Sequence, residues 1–115
     1  VDYGDRRHIF ISGTASINNK GEILHPKDVV KQTQRVWENV EALQKAADSS
    51  FDDVMAMIVY IRDVADYEMV RDLYAERFAD KPVIIVHAPV CRPGWLVEME
   101  CMAVKQITNT EFAPF

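Results

Sequence analysis

The sequence predicts an α+β domain in which two helices cover one face of a single sheet, with the element order ββαβαββ. Two segments have the apolar spacing of amphipathic helices. Two others are almost continuously apolar, which is typical of buried strands. A last segment alternates apolar residues with glutamates, as a strand with two different faces does. The chain has 115 residues, so these elements fit one domain.

The first elements are a hairpin and a long helix. A short strand at Val1–Tyr3 and a turn at Gly4 and Asp5 precede a strand that ends at Ser12. Asp28–Ala47 is the clearest helix, and the Asp28 carboxylate can accept from the free amides of its first turn. Its predicted apolar stripe consists of Val29, Val36, Val40, Leu43 and Ala47, with Trp37 beside it.

The second half of the chain contains three strands and one helix. The strands are predicted at Val54–Ile61, Val83–Val90 and Leu96–Lys105, and the helix at Asp66–Phe78. We expect His87, on the second of these strands, to be a hydrogen-bonded core histidine. The inward face of the helix is predicted to carry Tyr67, Val70, Leu73 and Tyr74. Residues 106–115 follow no pattern that predicts an element.

One face of the predicted sheet lacks a cover. Right-handed strand–helix–strand connections place both helices on the same face. Two of the strands are nevertheless apolar on both faces, so the other face would expose a large apolar patch. We expect other copies of the chain to cover it. Cover by the C-terminal residues and loops is the alternative.

Composition narrows the class of protein. The net charge of -5 and the pI near 5.1 argue against nucleic acid as the main partner. No apolar run approaches the roughly 20 residues of a membrane span, so no membrane partner is expected. Cys91 and Cys101 flank one short strand and cannot easily meet in a disulfide, which favours a reduced, cytoplasmic chain. The cysteine and histidine spacing predicts no metal site, and we expect no cofactor.

The last strand places its glutamates on the uncovered face. Its wholly apolar side belongs against the helices and consists of Val97, Met99, Cys101 and Ala103. Glu98 and Glu100 lie on the opposite side. A carboxylate held in a cleft between subunits is a candidate proton donor or acceptor, and we assign this role to Glu98. Salt bridges between subunits or exposure to solvent are the alternative, which we favour for Glu100.

Two other segments supply candidate site residues. Cys91 follows a strand end in the "CRPG" turn, and Arg92 beside it could hold a substrate carboxylate and activate the thiol. A small buried hydrophobe is the other interpretation of Cys91, and it is the one we adopt for Cys101. The turn of small residues in "ISGTAS" lets a ligand approach the backbone closely. Its candidate substrate-binding residues are Ser12, Gly13, Thr14 and Ala15.

Four segments together resemble one protein family. "IFISGTASIN", "ENVEALQKAA", "SFDDVMAMIVYIRDVADYEMV" and "VEMECMAV" resemble the Rid family, also called the YjgF or L-PSP endoribonuclease-like family, in the same order and over nearly the whole chain. The resemblance implies a chorismate-mutase-like α+β fold. It also implies a homotrimer whose sheets form a central barrel, with ligand clefts between the subunits.

The chain departs from the deaminases of this family in two places. They carry an arginine that binds imino-acid carboxylates where this chain has Ile84. The resemblance therefore does not imply ordinary imine deamination. The deaminases also carry a "GPYSQA"-like segment before the first strand, and this chain starts at Val1, after that point. We accordingly expect a single Rid-like domain over residues 1–115, the C-terminal part of a longer chain.

A related group resembles the chain in finer detail. "ISGTASI" and "CRPGWLVEMEC" are similar to the C-terminal part of chorismatases, which remove pyruvate from chorismate. This resemblance implies Glu98 as proton donor and Cys91, seven residues earlier, as a pocket or nucleophilic residue. The expected function is a homotrimer that binds a small carboxylated metabolite between subunits, as a chorismatase-like lyase or hydrolase. A non-catalytic ligand-binding trimer is the alternative, and an imine deaminase or endoribonuclease is less favoured.

Overall fold

The computed structural model describes residues 1–115 and contains four strands and two α-helices. In chain order these are β1 (Arg6–Ala15), α1 (Val29–Ala46), β2 (Val54–Ile61), α2 (Tyr67–Arg77), β3 (Val83–His87) and β4 (Val97–Gln106). Single 3-10 turns at Phe51–Asp53 and Val64–Asp66 precede β2 and α2. Neither α1 nor α2 has the length and apolarity that crossing a bilayer requires.

The four strands form one mixed sheet in the order β1-β4-β2-β3. β4 is antiparallel to both of its neighbours, whereas β2 and β3 are parallel and joined through α2. The predicted α+β class, with two helices on one face of the sheet, is confirmed. The last strand of the sequence is thus an inner strand, and β4 brings residues of β1 and β2 to its two sides.

The core lies between the helices and the inner face of the sheet. Val36 and Val40 of α1 and Val59 of β2 are completely buried, and each such side chain contributes about 1.5–3 kcal/mol on burial. The rings of Trp37 and Tyr74 join the two helices edge to face, with centroids 5.3 Å apart. The side of β4 predicted to face the helices does so, and its members are Val97, Met99, Cys101 and Ala103.

The first predicted strand is absent as a strand. Val1–Tyr3 forms only an isolated bridge, Asp2 to Arg7, because a tight turn closed by the Tyr3 amide and the Arg6 carbonyl leaves few residues to pair. The observed element order is therefore βαβαββ. The strand predicted to reach Val90 also ends early, at His87.

The inward faces of the two helices differ in part from the prediction. Leu43 is 47% exposed, and Tyr67 is also exposed. The polar residues Gln32, Thr33 and Gln44 are fully buried instead. These residues lie on the same side of α1 as the buried valines. The side of α1 that packs on the sheet is therefore slightly rotated from the side that the apolar residues predict. The predicted cap is confirmed, because the Asp28 carboxylate accepts from the Lys31 amide at 3.0 Å.

His87 is exposed, contrary to the expectation of a core histidine, because β3 is an edge strand.

Gln32 ties α1 to the loop that leads into β4. Its Nε2 donates to the carbonyls of His25 and Gly94 at 3.1 and 3.0 Å. Its Oε1 accepts from the Leu96 amide at 2.9 Å. Gln44, also fully buried, has no such set of partners: its Oε1 has none, and its Nε2 lies 3.6 Å from Cys101 Sγ. Two buried glutamines of one helix therefore have very different hydrogen bonding.

The C-terminal residues fold back onto the N-terminal turn. The Gly4 amide donates to the Ala113 carbonyl at 2.7 Å, and the Phe115 amide donates to Asp5 Oδ1 at 3.0 Å. A Cβ on Gly4 would stand 2.5 Å from the Phe112 carbonyl oxygen, so only glycine permits this approach. The glycine thus allows the two ends of the chain to pack together.

The sheet face opposite the helices, here called the helix-free face, is largely bare within one chain. Its residues include His8, Phe10, Ile58, Tyr60, Ile84, Val86, Glu98, Glu100 and Met102. Phe115 covers only the His8 end, with ring centroids 5.1 Å apart. Phe10 and Ile84 remain 64% and 62% exposed. The tail therefore does not cover this face, and its apolar surface is of the kind that binds another subunit.

Candidate functional site

A bulge in β1 gives Glu98 its place on the helix-free face. Between Ile11 and Thr14 the β1 strand advances three residues while β4 advances two, so Ser12 and Gly13 form an irregularity in the pairing. Glu98 is only 8% exposed. Its Oε1 lies 3.0 Å from the position that a Cβ on Gly13 would occupy. The glycine thus provides the space in which the carboxylate lies.

Cys91 meets Glu98 through its backbone and not through its thiol. The Cys91 amide donates to Glu98 Oε2 at 3.3 Å, while the Cys91 residue is exposed. No cation lies within ion-pair distance of the Glu98 carboxylate, which is therefore held by a neutral donor in a mostly apolar setting. Within one chain, the Glu98 carboxylate therefore lies beside both the Cys91 amide and Gly13.

The other predicted substrate-binding residues are placed differently. Ser12 is exposed beside Gly13, but the Thr14 hydroxyl is already donated to the Ser12 carbonyl at 2.9 Å. Ala15 is only 2% exposed and presents almost no side-chain surface. Arg92 donates to the Gly21 carbonyl at 2.8 Å. The guanidinium of Arg92 therefore links two loops and has no contact with the Glu98 carboxylate.

Tyr60 is a member of the site that sequence reasoning missed. It lies directly opposite Glu98 in the pairing of β2 with β4. Burial raises the pKa of the Tyr60 hydroxyl, and the nearby Glu100 and Glu98 carboxylates raise it further. The phenol therefore stays protonated and can donate a hydrogen bond. The signal was available in the sequence, because Tyr60 is the polar-tipped residue of an otherwise apolar strand.

Arg62 is the second residue that sequence reasoning missed. It follows β2, and its guanidinium binds three backbone carbonyls of the loop between β3 and β4, residues 88–96, here called the β3–β4 loop. Nε donates to the Trp95 carbonyl at 2.8 Å, and one terminal nitrogen donates to the carbonyls of Val90 and Arg92 at 2.8 and 2.7 Å. The loop that presents the Cys91 amide is thus fixed by an arginine outside it.

Two open depressions adjoin the bulge in β1. One, of about 330 Å³, lies on the helix-free face between Phe10, Ser12, Ile58 and Glu100. The other, of about 530 Å³, lies between the end of β1 and α1, and Trp95 forms part of its wall. The indole Nε1 of Trp95 is buried without a hydrogen-bond partner. The bulge is therefore accessible from both sides of the sheet.

Cys101 and Ile84 occupy the places expected for them. Cys101 is buried, and burial raises the pKa of its thiol to about 11. It acts as a small apolar residue of the core. Ile84 is exposed on the helix-free face and adds apolar surface there, with no positive charge.

Chemically, the site offers one carboxylate, one phenol and one backbone amide around a bulged strand. A carboxylic acid or carboxylate with little access to water can transfer a proton to or from a bound molecule. The phenol and the unpaired indole N–H can orient polar groups of that molecule. The exposed apolar surface around these groups suits a ligand or a second protein chain.

Known proteins are similar to this chain in both sequence and fold. The family model described as endoribonuclease L-PSP matches residues 3–105. A RutC family protein of Pyrococcus abyssi is 35% identical over 101 residues, which cover 85% of this chain and 79% of that protein. The crystal structure of E. coli TdcF with bound serine has a TM-score of 0.74 and 30% identity, covering 91% of this chain and 84% of that one.

A second solved structure carries the Rid name. YyfA of Yersinia pestis, described as a conserved Rid family protein of unknown function, has a TM-score of 0.73 and 27% identity, covering 84% of this chain and 79% of that one. The matched region includes the bulge of β1, the β3–β4 loop and nearly all of β4. The chain therefore belongs to the endoribonuclease L-PSP family, which is also the Rid or YjgF family.

Proposed function

We propose that the protein is a homotrimer that binds a small carboxylated metabolite at the Glu98 site and transfers a proton through Glu98. The observation that carries the proposal is the nearly buried Glu98 carboxylate, which faces Gly13 and the Cys91 amide on a sheet face that one chain leaves open. Burying a carboxylate without a cationic partner costs free energy, so a carboxylate kept in such a place is a candidate for proton transfer.

The bare helix-free face supports assembly with other copies. Its exposed Phe10 and Ile84 would be buried against a second subunit, whose surface would then close the open side of the site. The replacement Ile84→Glu places a charge in that contact and is expected to yield monomers in analytical ultracentrifugation. Val64→Glu is the matched control, because Val64 is 66% exposed but lies outside the sheet. Trimers of Ile84→Glu would contradict this interface.

The carboxylated ligand is supported by a relative. TdcF of E. coli, with the same fold and 30% identity, was crystallised with serine, which carries a carboxylate. In this chain the Tyr60 hydroxyl lies on the same face as Glu98, and the Trp95 indole Nε1 beside the bulge has no hydrogen-bond partner. Either group can donate a hydrogen bond to an oxygen of a ligand carboxylate or hydroxyl.

Chorismate is the specific substrate that we propose, with pyruvate as the product. Glu98 would protonate the methylene carbon of the enolpyruvyl ether, and water would add to the cationic ether carbon. The added water would return one of its protons to Glu98 and pass the other to the ether oxygen on the ring as the bond from that oxygen to the former cationic carbon breaks, which releases pyruvate and leaves a ring hydroxyl. Tyr60, opposite Glu98, would orient the substrate.

The experiment incubates the purified protein with chorismate and follows pyruvate with a coupled dehydrogenase assay. Glu98→Gln should abolish release, since an amide cannot donate the proton, whereas Glu100→Gln on the same face of β4 is the matched control and should retain most of it. Equal release by the wild type and Glu98→Gln would refute the role of Glu98. Binding of chorismate or serine in calorimetry without any pyruvate would instead identify a non-catalytic ligand-binding trimer.

A further inference from the structure

Arg62 occupies an unusual position for a charged side chain. It directly follows β2, two residues after Tyr60, and its amide donates to the Leu96 carbonyl at 3.0 Å where β4 is about to begin. No carboxylate lies within ion-pair distance of its guanidinium. The positive charge is instead directed at backbone carbonyls, which is a binding role within the fold and not a surface charge.

The three carbonyls bound by Arg62 bracket the residue that contacts Glu98. Val90 and Arg92 stand immediately before and after Cys91, and one terminal nitrogen of Arg62 binds both of their carbonyls. Nε binds the Trp95 carbonyl at the other end of the same turn. Only an arginine has several donors in a fixed planar arrangement that can hold three separated carbonyls at once.

Apart from Arg62, few contacts fix the segment around Cys91, and the nearest is the hydrogen bond from the Arg92 side chain to the Gly21 carbonyl at 2.8 Å. The Trp95 amide donates to the Arg92 carbonyl at 3.0 Å, which closes a turn. Gln32 holds the loop further along, at Gly94 and Leu96. At Cys91 itself the backbone hydrogen bond is the one from its amide to Glu98 Oε2. The orientation of that amide therefore depends on the carbonyls on either side of it.

We propose that Arg62 is the positioning residue of the Glu98 site: by binding the carbonyls of Val90, Arg92 and Trp95 it aims the Cys91 amide at the Glu98 carboxylate. The effect on catalysis rests on the function proposed above, whereas the effect on the loop does not. The guanidinium acts through the β3–β4 loop. The Cys91 amide binds Oε2 of Glu98, and the other carboxylate oxygen, Oε1, lies beside Gly13.

The test compares Arg62→Lys and Arg62→Met with Arg71→Met, which removes an exposed arginine from α2. Hydrogen exchange should be at least about tenfold faster in the β3–β4 loop of both Arg62 variants, because one lost charge-assisted hydrogen bond accounts for that factor. Exchange in β4 and α1 serves as the check that each variant is folded. Arg71→Met should leave exchange in the β3–β4 loop unchanged.

A second readout reports on Glu98 without any substrate. In the protein that retains Arg62, Glu98→Gln should shift the Cys91 amide resonance in nitrogen-15 NMR spectra, because the acceptor of that amide changes. In the Arg62→Met background the same replacement should shift it far less, with an intermediate response for Arg62→Lys. An unchanged response together with unchanged loop exchange would overturn the proposal.

A turnover measurement separates the two proposals. If chorismate is cleaved, Arg62→Lys should lower kcat more than it raises KM, because it disturbs the proton-transfer group and not the whole binding surface. If chorismate is not cleaved, the exchange and NMR results still decide the positioning role of Arg62. A loosened loop with unchanged kcat and KM would show that the positioning has no bearing on the reaction.

Discussion

Gln32→Leu provides a quantitative test of how α1 is joined to the β3–β4 loop. The replacement keeps the approximate volume of the side chain and removes all three of its hydrogen bonds, to the His25 and Gly94 carbonyls and from the Leu96 amide. Each partner group stays in place, partly buried, and loses its hydrogen bond. This costs about 1 kcal/mol for each group, the lower end of the range for an unpaired buried polar group. The expected loss of unfolding free energy is therefore about 3 kcal/mol.

Gln44→Leu is the matched control, since it changes the same residue type in the same helix at equal burial. Its Oε1 lacks a partner and its Nε2 has only the long contact to Cys101 Sγ, so the unfolding free energy should change by less than about 1 kcal/mol in either direction. Leucine can even be favoured there, because it removes a buried oxygen without a partner.

The assay is urea and thermal unfolding of the three proteins at one protomer concentration, because oligomers change their apparent stability with concentration. For a chain of this size, about 3 kcal/mol corresponds to a fall in Tm of about 12 °C. A Gln44→Leu protein destabilised as much as Gln32→Leu would refute the reasoning, since burial alone and not hydrogen bonding would then set the cost.

Two further predictions concern the thiols and the packed chain ends. Iodoacetamide should label the exposed Cys91 in the folded protein, whereas Cys101, buried and with its thiol pKa raised to about 11, should react only after denaturation, as peptide mass spectrometry would detect. Arg6 and the Phe115 amide lower the pKa of Asp5 from 3.8 to about 2, so its stabilising contribution is present above about pH 3.8 and is lost as the pH falls through about 2. The stability difference between the wild type and Asp5→Asn should close over that interval in urea titrations, and a difference independent of pH would contradict this account.

The faces of the strands could be predicted from the sequence because alternation is a local property. In β4, Val97 and Met99 alternate with Glu98 and Glu100, and the wholly apolar side can only face the helices. Glu98 and Gly13 were each singled out as candidate site residues from their own segments, and their contact with each other is a finding of the structure.

The way in which those residues meet could not be predicted, because it depends on which strands are neighbours. Only the placement of β4 between β1 and β2 puts Tyr60 opposite Glu98. Arg62 and Gln32 looked like ordinary polar positions, since their partners are carbonyls and amides of a distant loop that have no sequence signature. The contact of Cys91 likewise uses a backbone group that every residue except proline has.

The position of β4 determines when the sheet can form during synthesis. Of the four strands, β1 is synthesised first but has no long partner other than β4, residues 97–106, which is synthesised last. Until they emerge, only the parallel pair of β2 and β3 can assemble, and the apolar residues of β1 must remain unpaired. Most long-range pairing is therefore delayed to a late stage, which slows folding and leaves the nascent chain prone to aggregation. A chain interrupted before β4 would lose both the inner strand of its sheet and the carboxylate of its site.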